Sequence, residues 1–135
     1  MKYAFESLEV WQKSRKLVRS VYQLTNIFPN EEKLGITSQI RRAGISVSSN
    51  IAEGSTRWSR KDQARFYEIA FGSLIEVLNL SILSCDLNFI QEDALKNIRA
   101  DIDTIGRMLN SLYQSTQKPI NFSTKSLATK KTISE

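Results

Sequence analysis

Apolar residues recur at intervals of three and four along most of the chain, which is the spacing of amphipathic α-helices. The pattern predicts four helices, with approximate ranges 7–28, 34–52, 59–87 and 92–118. The fourth has the clearest single stripe, formed by Leu95, Ile98, Ile102, Ile105, Leu109, Leu112 and Thr116. The first and third helices each carry two parallel apolar stripes, which is more apolar surface than one bundle core needs. We therefore expect part of this surface to contact another molecule.

Helix-breaking residues separate the four segments and leave only short connections. Pro29, Gly54, Asn88 and Pro119 mark the breaks, and such residues commonly end helices. Short connections between long helices favour antiparallel neighbours. The predicted fold is therefore all-α, an antiparallel up-and-down four-helix bundle in one domain, residues 1–117. The Ser-, Thr- and Lys-rich segment 118–135 has no useful periodicity, and we predict that it is a disordered basic tail.

Composition excludes several classes of protein. The chain has one cysteine, Cys85, and no histidine. A disulfide framework within the chain and His-dependent catalysis are therefore excluded, and a zinc site would lack its usual ligands. No continuous apolar run approaches the roughly 20 residues of a membrane-spanning helix. We expect a soluble, cytoplasmic, non-enzymatic protein with no cofactor, metal or membrane partner, in which Cys85 is a buried and inert thiol.

The net charge of +5 is distributed unevenly along the chain. Residues 1–65 hold 12 Lys and Arg against 6 Asp and Glu, whereas residues 66–117 hold 3 against 7. The segment 118–135 is again basic, with 4 against 1. A basic half beside an acidic half indicates either a polyanionic partner or head-to-tail association of the chain with itself. Composition leaves both alternatives open.

Six basic residues form the main candidate for a binding surface: Arg41, Arg42, Arg57, Arg60, Lys61 and Arg65. Such charges can neutralise phosphates while Trp58 and Tyr67 stack on bases, a pattern typical of nucleic-acid binding. The alternative is a solvated helix surface with local ion pairs. Because Arg41 lies about three turns before the end of its helix, antiparallel packing should leave it apart from the later residues. The expected patch therefore consists of Arg57, Arg60, Lys61 and Arg65.

The last turns of the second helix carry two polar residues, Asn50 and Glu53. A lone carboxylate has no partner for acid–base catalysis, so a catalytic role for Glu53 is disfavoured. We predict structural roles instead. Glu53 should pair with a nearby arginine (Arg41, Arg42 or Arg57), and Asn50 should hydrogen-bond the backbone near the connection between the second and third helices.

Several strings, taken together, resemble one protein family. They are 8–15 (LEVWQKSR) and Phe28-Pro29 in the first helix, 37–43 (TSQIRRA) and 49–54 (SNIAEG) in the second, Phe66, 70–74 (AFGSL) and Glu76 in the third, and 106–109 (GRML) in the fourth. Over residues 5–117 the chain resembles the four-helix bundle family of 23S rRNA-intervening-sequence proteins. It is similar also to the accessory variability determinant of diversity-generating retroelements.

The resemblance implies a four-helix protomer that assembles into a ring-like homopentamer and has RNA, DNA or a nucleic-acid-handling protein as its partner. It implies no catalytic residues. The chain departs from the family at Phe71, where the family usually has arginine, and this removes one positive charge from the third helix. The leading hypothesis is an oligomeric bundle that binds nucleic acid or a nucleoprotein through its basic surface. The alternative is a self-associating scaffold that does not bind nucleic acid directly.

Overall fold

A computed structural model describes residues 1–119 of the chain. Four α-helices account for most of them: α1 (Glu9–Thr25), α2 (Ile36–Ser55), α3 (Arg60–Asp86) and α4 (Glu92–Ser115). Two short 3-10 helices, Ala4–Ser7 and Asn30–Glu32, precede α1 and α2. The predicted all-α four-helix fold is confirmed. The part of the predicted tail from residue 120 onward lies outside the described residues.

Each helix packs against the next one in sequence, and α4 closes the bundle by packing against α1. The α2–α3 contact is the most extensive of these and the α1–α4 contact the least. One apolar core runs through all four helices; its most deeply buried large side chains are Leu17, Val21, Ile40, Val47, Ile51, Leu74, Val77, Ile105 and Leu109. At one end of the bundle the ring centroids of Phe28 and Phe89 lie 5.4 Å apart. This contact joins the two connections at that end, as an up-and-down arrangement requires.

One helix end differs from its predicted position because packing against a neighbouring helix, and not a helix-ending residue, explains the glycine found there. Gly54 does not end α2, which continues to Ser55. It lies inside the helix because its missing side chain leaves room for Tyr67, as described below. Asn88 does act as a stop, since its φ of 64° is left-handed and cannot continue a helix.

The apolar character of α3 exceeds the expectation from sequence. Among residues 1–119 it is the one helix whose length and mean hydropathy, 1.5 over 18 residues, would suffice to cross a membrane. Glu76 nevertheless interrupts its apolar positions, so α3 contains no continuous apolar run of about 20 residues. A core helix of a soluble bundle passes the same test, but only 33% of this stretch is buried. Apolar side chains thus occupy both the inner and the outer face of α3.

Candidate nucleic-acid interface

The connection between α2 and α3 is short and fixed by side-chain hydrogen bonds at both ends. The hydroxyl of Thr56 donates to the carbonyl of Glu53 at 2.8 Å at the end of α2. The hydroxyl of Ser59 accepts from the amide of Asp62 at 3.1 Å and so caps α3 at its first turn. The basic residues that follow each cap are therefore presented from a defined backbone rather than from a long loop.

The four residues of the expected patch are all exposed at this end of the bundle: Arg57, Arg60, Lys61 and Arg65. Arg57 lies 3.6 Å from the Glu53 carboxylate, and its guanidinium lies 4.3 Å from the centre of the Phe66 ring. Arg60 donates to the carbonyl of Lys118, which brings the end of α4 beside the start of α3. Lys61 and Arg65 are one turn apart on α3, and no carboxylate of the described residues lies within 4 Å of either.

The other two basic candidates lie elsewhere. Arg41 faces α1, where its Nε donates to the Thr25 hydroxyl at 2.8 Å and its guanidinium lies 4.4 Å from the Tyr22 ring centre. Arg42 is exposed on α2, with a long contact of 3.5 Å to the Ser38 hydroxyl. The six basic residues therefore divide into one group at the α2–α3 connection and a pair in the first half of α2.

The two aromatic residues proposed for base stacking have opposite environments. Trp58 is completely exposed between Arg57 and the start of α3, so both of its ring faces are accessible. Tyr67 is only 4% exposed and belongs to the core, so its proposed stacking role is wrong. Burial raises the pKa of its hydroxyl above the ordinary value. Tyr67 also lies on one of the two apolar stripes of the third helix, and this spacing was the signal that its ring is buried.

Asn50 fastens α2 to α3 through a chain of hydrogen bonds. Its side-chain amide donates to the Ser46 carbonyl at 2.8 Å and to the Ser46 hydroxyl at 3.0 Å. The Ser46 hydroxyl in turn lies 2.7 Å from the hydroxyl of Ser73 on α3. Asn50 thus bonds a backbone carbonyl one turn back within α2 rather than near the connection. Sequence reasoning missed Ser46, although its partner Ser73, a polar residue within the mainly apolar string 70–74 (AFGSL), was an available signal.

Gly54 permits the closest approach between the same two helices. A Cβ atom at this position would lie 2.6 Å from Tyr67 Cε1 and 2.9 Å from Phe66 Cβ, shorter than real Cβ contacts. The segment 50–54 therefore contributes a hydrogen-bond network, the buried Ile51 and a contact that requires glycine. This geometry indicates that the segment has a structural role in packing α2 against α3. Glu53 adds only an exposed ion pair with Arg57.

The remaining candidate, Cys85, is partly exposed rather than buried, so that expectation is wrong. Desolvation raises the pKa of its thiol, and the nearby carboxylates of Glu92 and Asp86 raise it further. A raised pKa leaves little reactive thiolate at neutral pH. Residues 1–119 also contain no group of three or more Cys, Asp or Glu side chains that could hold a metal ion.

Comparisons with known proteins support both the four-helix fold and the family resemblance of the motif strings. The model of the 23S rRNA-intervening sequence protein family matches residues 6–111. The chain belongs to this family. A crystal structure of a protein of unknown function from the S23 ribosomal protein family of Bacteroides thetaiotaomicron VPI-5482 has 27% sequence identity and a TM-score of 0.72, covering 77% of this chain and 97% of that one. The comparison with curated proteins found no match.

Within this 23S rRNA-intervening sequence protein, the family match ends before the basic segment 118–135. The strings that carry the resemblance in α2 and α3 coincide with the Asn50–Ser46–Ser73 network and with the Gly54–Tyr67 contact. The position at which the chain departs from the family, Phe71, is 43% exposed. Its apolar ring therefore lies on the surface, at the position where the resemblance implies an arginine.

The outer face of α3 is a second surface that the motif search did not identify. Ile69, Ile75 and Leu83 are 44%, 45% and 41% exposed, and Leu87 at the end of the helix is 56% exposed. Their spacing of three to eight residues keeps them on one side of the helix, away from the buried face. A Cβ added at Gly72, between them, would meet no atom within 4 Å. We refer to Ile69, Gly72, Ile75, Leu83 and Leu87 as the α3 ridge.

A shallow groove of about 540 Å³ lies between α1 and α4. Its lining is mainly apolar and includes Leu24, Ile98 and the 76% exposed Ile27. Asp93 and Asp101 lie along its α4 side. Farther along the same two helices, a smaller groove is lined by Lys13 and Lys16. We refer to the larger of these as the α1–α4 groove.

Proposed function

We propose that this protein is a non-enzymatic, cytoplasmic, ring-forming bundle, most simply a homopentamer, that binds nucleic acid through its repeated basic surface. The observation that carries the proposal is the cluster of exposed basic side chains at the α2–α3 connection: Arg57, Arg60, Lys61 and Arg65. The exposed Trp58 adds a stacking surface within this cluster. The five copies are those that the family resemblance implies.

The argument for assembly rests on the α3 ridge. Its large apolar side chains are exposed on one face of α3, with the exposed Glu76 and Asn79 between them. A row of exposed apolar side chains on one helix face is typical of a protein–protein contact. The ridge and the α1–α4 groove are different surfaces of the same chain, so contact between them is head-to-tail and can close into a ring. A two-fold dimer would instead require each surface to match itself.

One pair of charges beside the ridge and the groove, Glu76 and Lys16, is complementary in a parallel arrangement, whereas Asp93 and Asp101 of the groove have the same sign as Glu76. In an up-and-down bundle α1 and α3 run in the same direction. Lys16 precedes Ile27, just beyond the end of α1, by about 16 Å, and Glu76 precedes Leu87, just beyond the end of α3, by about the same distance. A neighbouring copy can stand beside the first with its helices running in the same direction. Leu87 of the neighbour then lies at the groove near Ile27 of the first copy, and Glu76 of the neighbour faces Lys16 of the first copy.

The nucleic-acid argument depends on this repetition. Four basic residues in one copy neutralise few phosphates and give weak binding at physiological salt. Several copies that engage one polyanion gain affinity through effective concentration, without any new contact in each copy. A ring that presents the connection between α2 and α3 at one end would place all copies of the basic surface on the same side.

A charge exchange tests the assembly. We expect the wild type to have the mass of an oligomer by light scattering at micromolar concentration and physiological salt. Lys16→Glu or Glu76→Lys alone should shift the mass toward the monomer, and the two together should restore the oligomer because the pair is re-formed with opposite polarity. Lys96→Glu with Asp103→Lys, both exposed on α4, is the matched control.

A monomeric wild type would overturn the ring. An oligomer that both single reversals leave intact would keep the ring but reject the ridge-and-groove contact.

Nucleic-acid binding is tested by reversing the basic surface. Arg60→Glu with Lys61→Glu should abolish retention of RNA at about 50 mM salt, where phosphate contacts are strongest, and leave the oligomer intact. The control is Lys96→Glu with Arg99→Glu, which removes the same charge from α4. If the wild type shifts neither RNA nor DNA under these conditions, direct nucleic-acid binding is rejected.

The second candidate function, a self-associating scaffold, is favoured by the apolar α3 ridge alone. In that case the basic and acidic halves neutralise one another between copies, and the oligomer forms without nucleic acid. The two functions differ in their salt response. Retention of nucleic acid weakens with a log–log slope of about −0.9 per neutralised phosphate on duplex DNA. The scaffold retains no nucleic acid at any salt concentration, and only the charge-dependent part of its self-association weakens with salt.

A further inference from the structure

A small polar groove lies at the connection between α1 and α2, at the opposite end of the bundle from the basic surface. Its volume is about 210 Å³, smaller than a pocket for a drug-sized ligand. Among the residues that line it are Thr25, Asn30, Lys33, Thr37 and Arg41. Two of these are cations, and no carboxylate lines the groove.

Arg41 is held in position before any ligand arrives. The Thr25 hydroxyl donates to the Val21 carbonyl at 2.8 Å and accepts from Arg41 Nε at 2.8 Å, while the Tyr22 ring lies against the guanidinium at 4.4 Å. These contacts occupy Nε only, and no carboxylate within residues 1–119 lies within 4 Å of Arg41. Its two terminal nitrogens therefore remain as fixed donors with a full positive charge.

Thr37 supplies an independent sign of a missing partner. It is 7% exposed, and its hydroxyl is the one buried side-chain polar atom without a hydrogen bond in the described part of the chain. Buried hydroxyls are normally hydrogen-bonded, so such an atom calls for a ligand or a bound water. Thr37 also lies in the first turn of α2, where backbone amides have no intrahelical acceptor and the helix dipole favours an anion.

We propose that this groove binds a single phosphate group, with Arg41 and Lys33 supplying charge and the Thr37 hydroxyl donating a hydrogen bond. A tetrahedral oxyanion can accept from a planar guanidinium, an ammonium and a hydroxyl at the same time. The nearest competing anion is the Glu32 carboxylate, which accepts from the Ile36 amide at 3.5 Å and does not line the groove. The site is separate from the Arg57–Arg65 surface and does not depend on it.

The phosphate group can come from free inorganic phosphate or from the terminus of a nucleotide, and the experiment separates the two. Melting temperature is measured against sodium phosphate and against sodium chloride of equal ionic strength, and then with AMP and with adenosine. A ligand that binds only the folded state raises the melting temperature in a saturable way. Phosphate also stabilises proteins by being excluded from their surface, an effect that does not saturate and is common to all variants.

We expect saturable stabilisation of the wild type by phosphate at millimolar concentration. Arg41→Gln and Thr37→Val should each weaken the apparent affinity at least about tenfold. Arg42→Gln, which removes the adjacent exposed charge, should retain it. In chloride, Thr37→Val should melt no lower than the wild type, because the change removes a hydroxyl that has no partner. Stabilisation by AMP equal to that by phosphate identifies a terminal phosphate, and stabilisation by phosphate alone identifies the free anion.

Equal responses to phosphate in wild type, Arg41→Gln and Thr37→Val would overturn the proposal, as would stabilisation by adenosine equal to that by AMP. Amide shifts in ¹H–¹⁵N spectra give a second readout that does not depend on stability. Phosphate should shift the amides of Lys33 and Thr37 in the wild type and leave them unmoved in Arg41→Gln. Shifts confined to the α2–α3 connection would place the anion at the basic surface and reject the groove.

Discussion

The α2–α3 and α1–α4 contacts differ sharply within one small bundle. Between α2 and α3, a glycine admits a tyrosine ring to the helix backbone and the Asn50–Ser46–Ser73 chain crosses from one helix to the other. Between α1 and α4 lies an open groove with charged residues at its edges. No hydrogen bond or ion pair joins α1 to α4 among residues 1–119. Specific hydrogen bonds and a glycine–tyrosine contact hold α2 against α3, whereas α1 and α4 are held together by the burial of apolar side chains.

This difference assigns separate roles to the two sides of the molecule. Two of the strings that relate the chain to its family, 49–54 and 70–74, lie at the α2–α3 interface, which we call the closed contact, so they indicate how these two helices are held together. Surfaces that are open to partners lie elsewhere, at the basic connection, on the α3 ridge and along the α1–α4 groove. The strings 49–54 and 70–74 are therefore evidence for the fold, whereas Thr37 and Arg41 of the string 37–43 line the groove proposed to bind phosphate.

The largest effect on the closed contact is expected from Gly54→Ala. The new Cβ would lie 2.6 Å from the Tyr67 ring, so α2 and α3 must separate or the ring must rotate. Overpacking of this kind costs about 1–3 kcal/mol of unfolding free energy, measured by guanidinium denaturation. The matched control is Gly72→Ala in α3, where the added methyl meets no atom of the same copy within 4 Å and lies on the ridge proposed to contact a neighbouring copy.

Gly72→Ala should stabilise α3 by about 0.4–1 kcal/mol, since alanine restricts the unfolded chain and favours helix. Equal effects of the two substitutions would show that helix propensity, and not the close approach, determines the cost at Gly54.

The next effect concerns the hydrogen-bond chain. Asn50→Ala and Ser73→Ala should each lower the free energy of unfolding by about 1–2 kcal/mol, because each leaves a partly buried group without its partner. The two should not be additive, since both interrupt one network through Ser46. A double variant whose loss equals the sum of the single losses would contradict the network. Asn110→Ala, exposed on α4, serves as the control.

The bundle itself could be predicted from sequence because helical periodicity survives wherever one face of a helix is buried. The predicted stripe of α4 contains each of its buried apolar positions, Ile98, Ile102, Ile105 and Leu109. The basic patch was likewise separable from Arg41 by counting turns along α2. These inferences depend on local spacing, which the sequence contains directly.

The details that remained hidden depend on contacts between distant residues. The two apolar stripes of α3 include Leu74, which is buried, but they do not show that large apolar residues such as Ile75 lie exposed on its outer face. Gly54 was placed at a helix end, and Tyr67 was given a stacking role although it lies on an apolar stripe, because their close approach depends on how α2 packs against α3. The orphan Thr37 hydroxyl depends on how α1 and its connection cover the start of α2.

Raising the pH should weaken the closed contact selectively. Burial raises the pKa of Tyr67 above its unfolded value of about 10, so the folded state holds this proton more tightly than the unfolded state. The contribution to stability is fully present below pH 10 and is lost as the pH rises through the folded pKa. Denaturation at pH 9 and pH 11 should show a loss that is smaller in Tyr67→Phe. An unchanged pH dependence in that variant would mean that other groups determine the alkaline loss.

The smallest effect is expected at Glu53, although it lies in the same motif as Asn50 and Gly54. The ion pair joins Glu53 and Arg57, which are one helical turn apart, and their side chains are 56% and 42% exposed, respectively. Exposed pairs of this spacing contribute about 0.3–0.5 kcal/mol, so Glu53→Ala should scarcely change the melting temperature. A double-mutant cycle with Arg57→Ala isolates the pair, and its small coupling should fall further at high salt because the charges are screened. A coupling above about 1.5 kcal/mol that persists in salt would mean that the Glu53–Arg57 pair helps to hold α2 against α3. Arg57 would then be less available to bind phosphates in the proposed nucleic-acid surface.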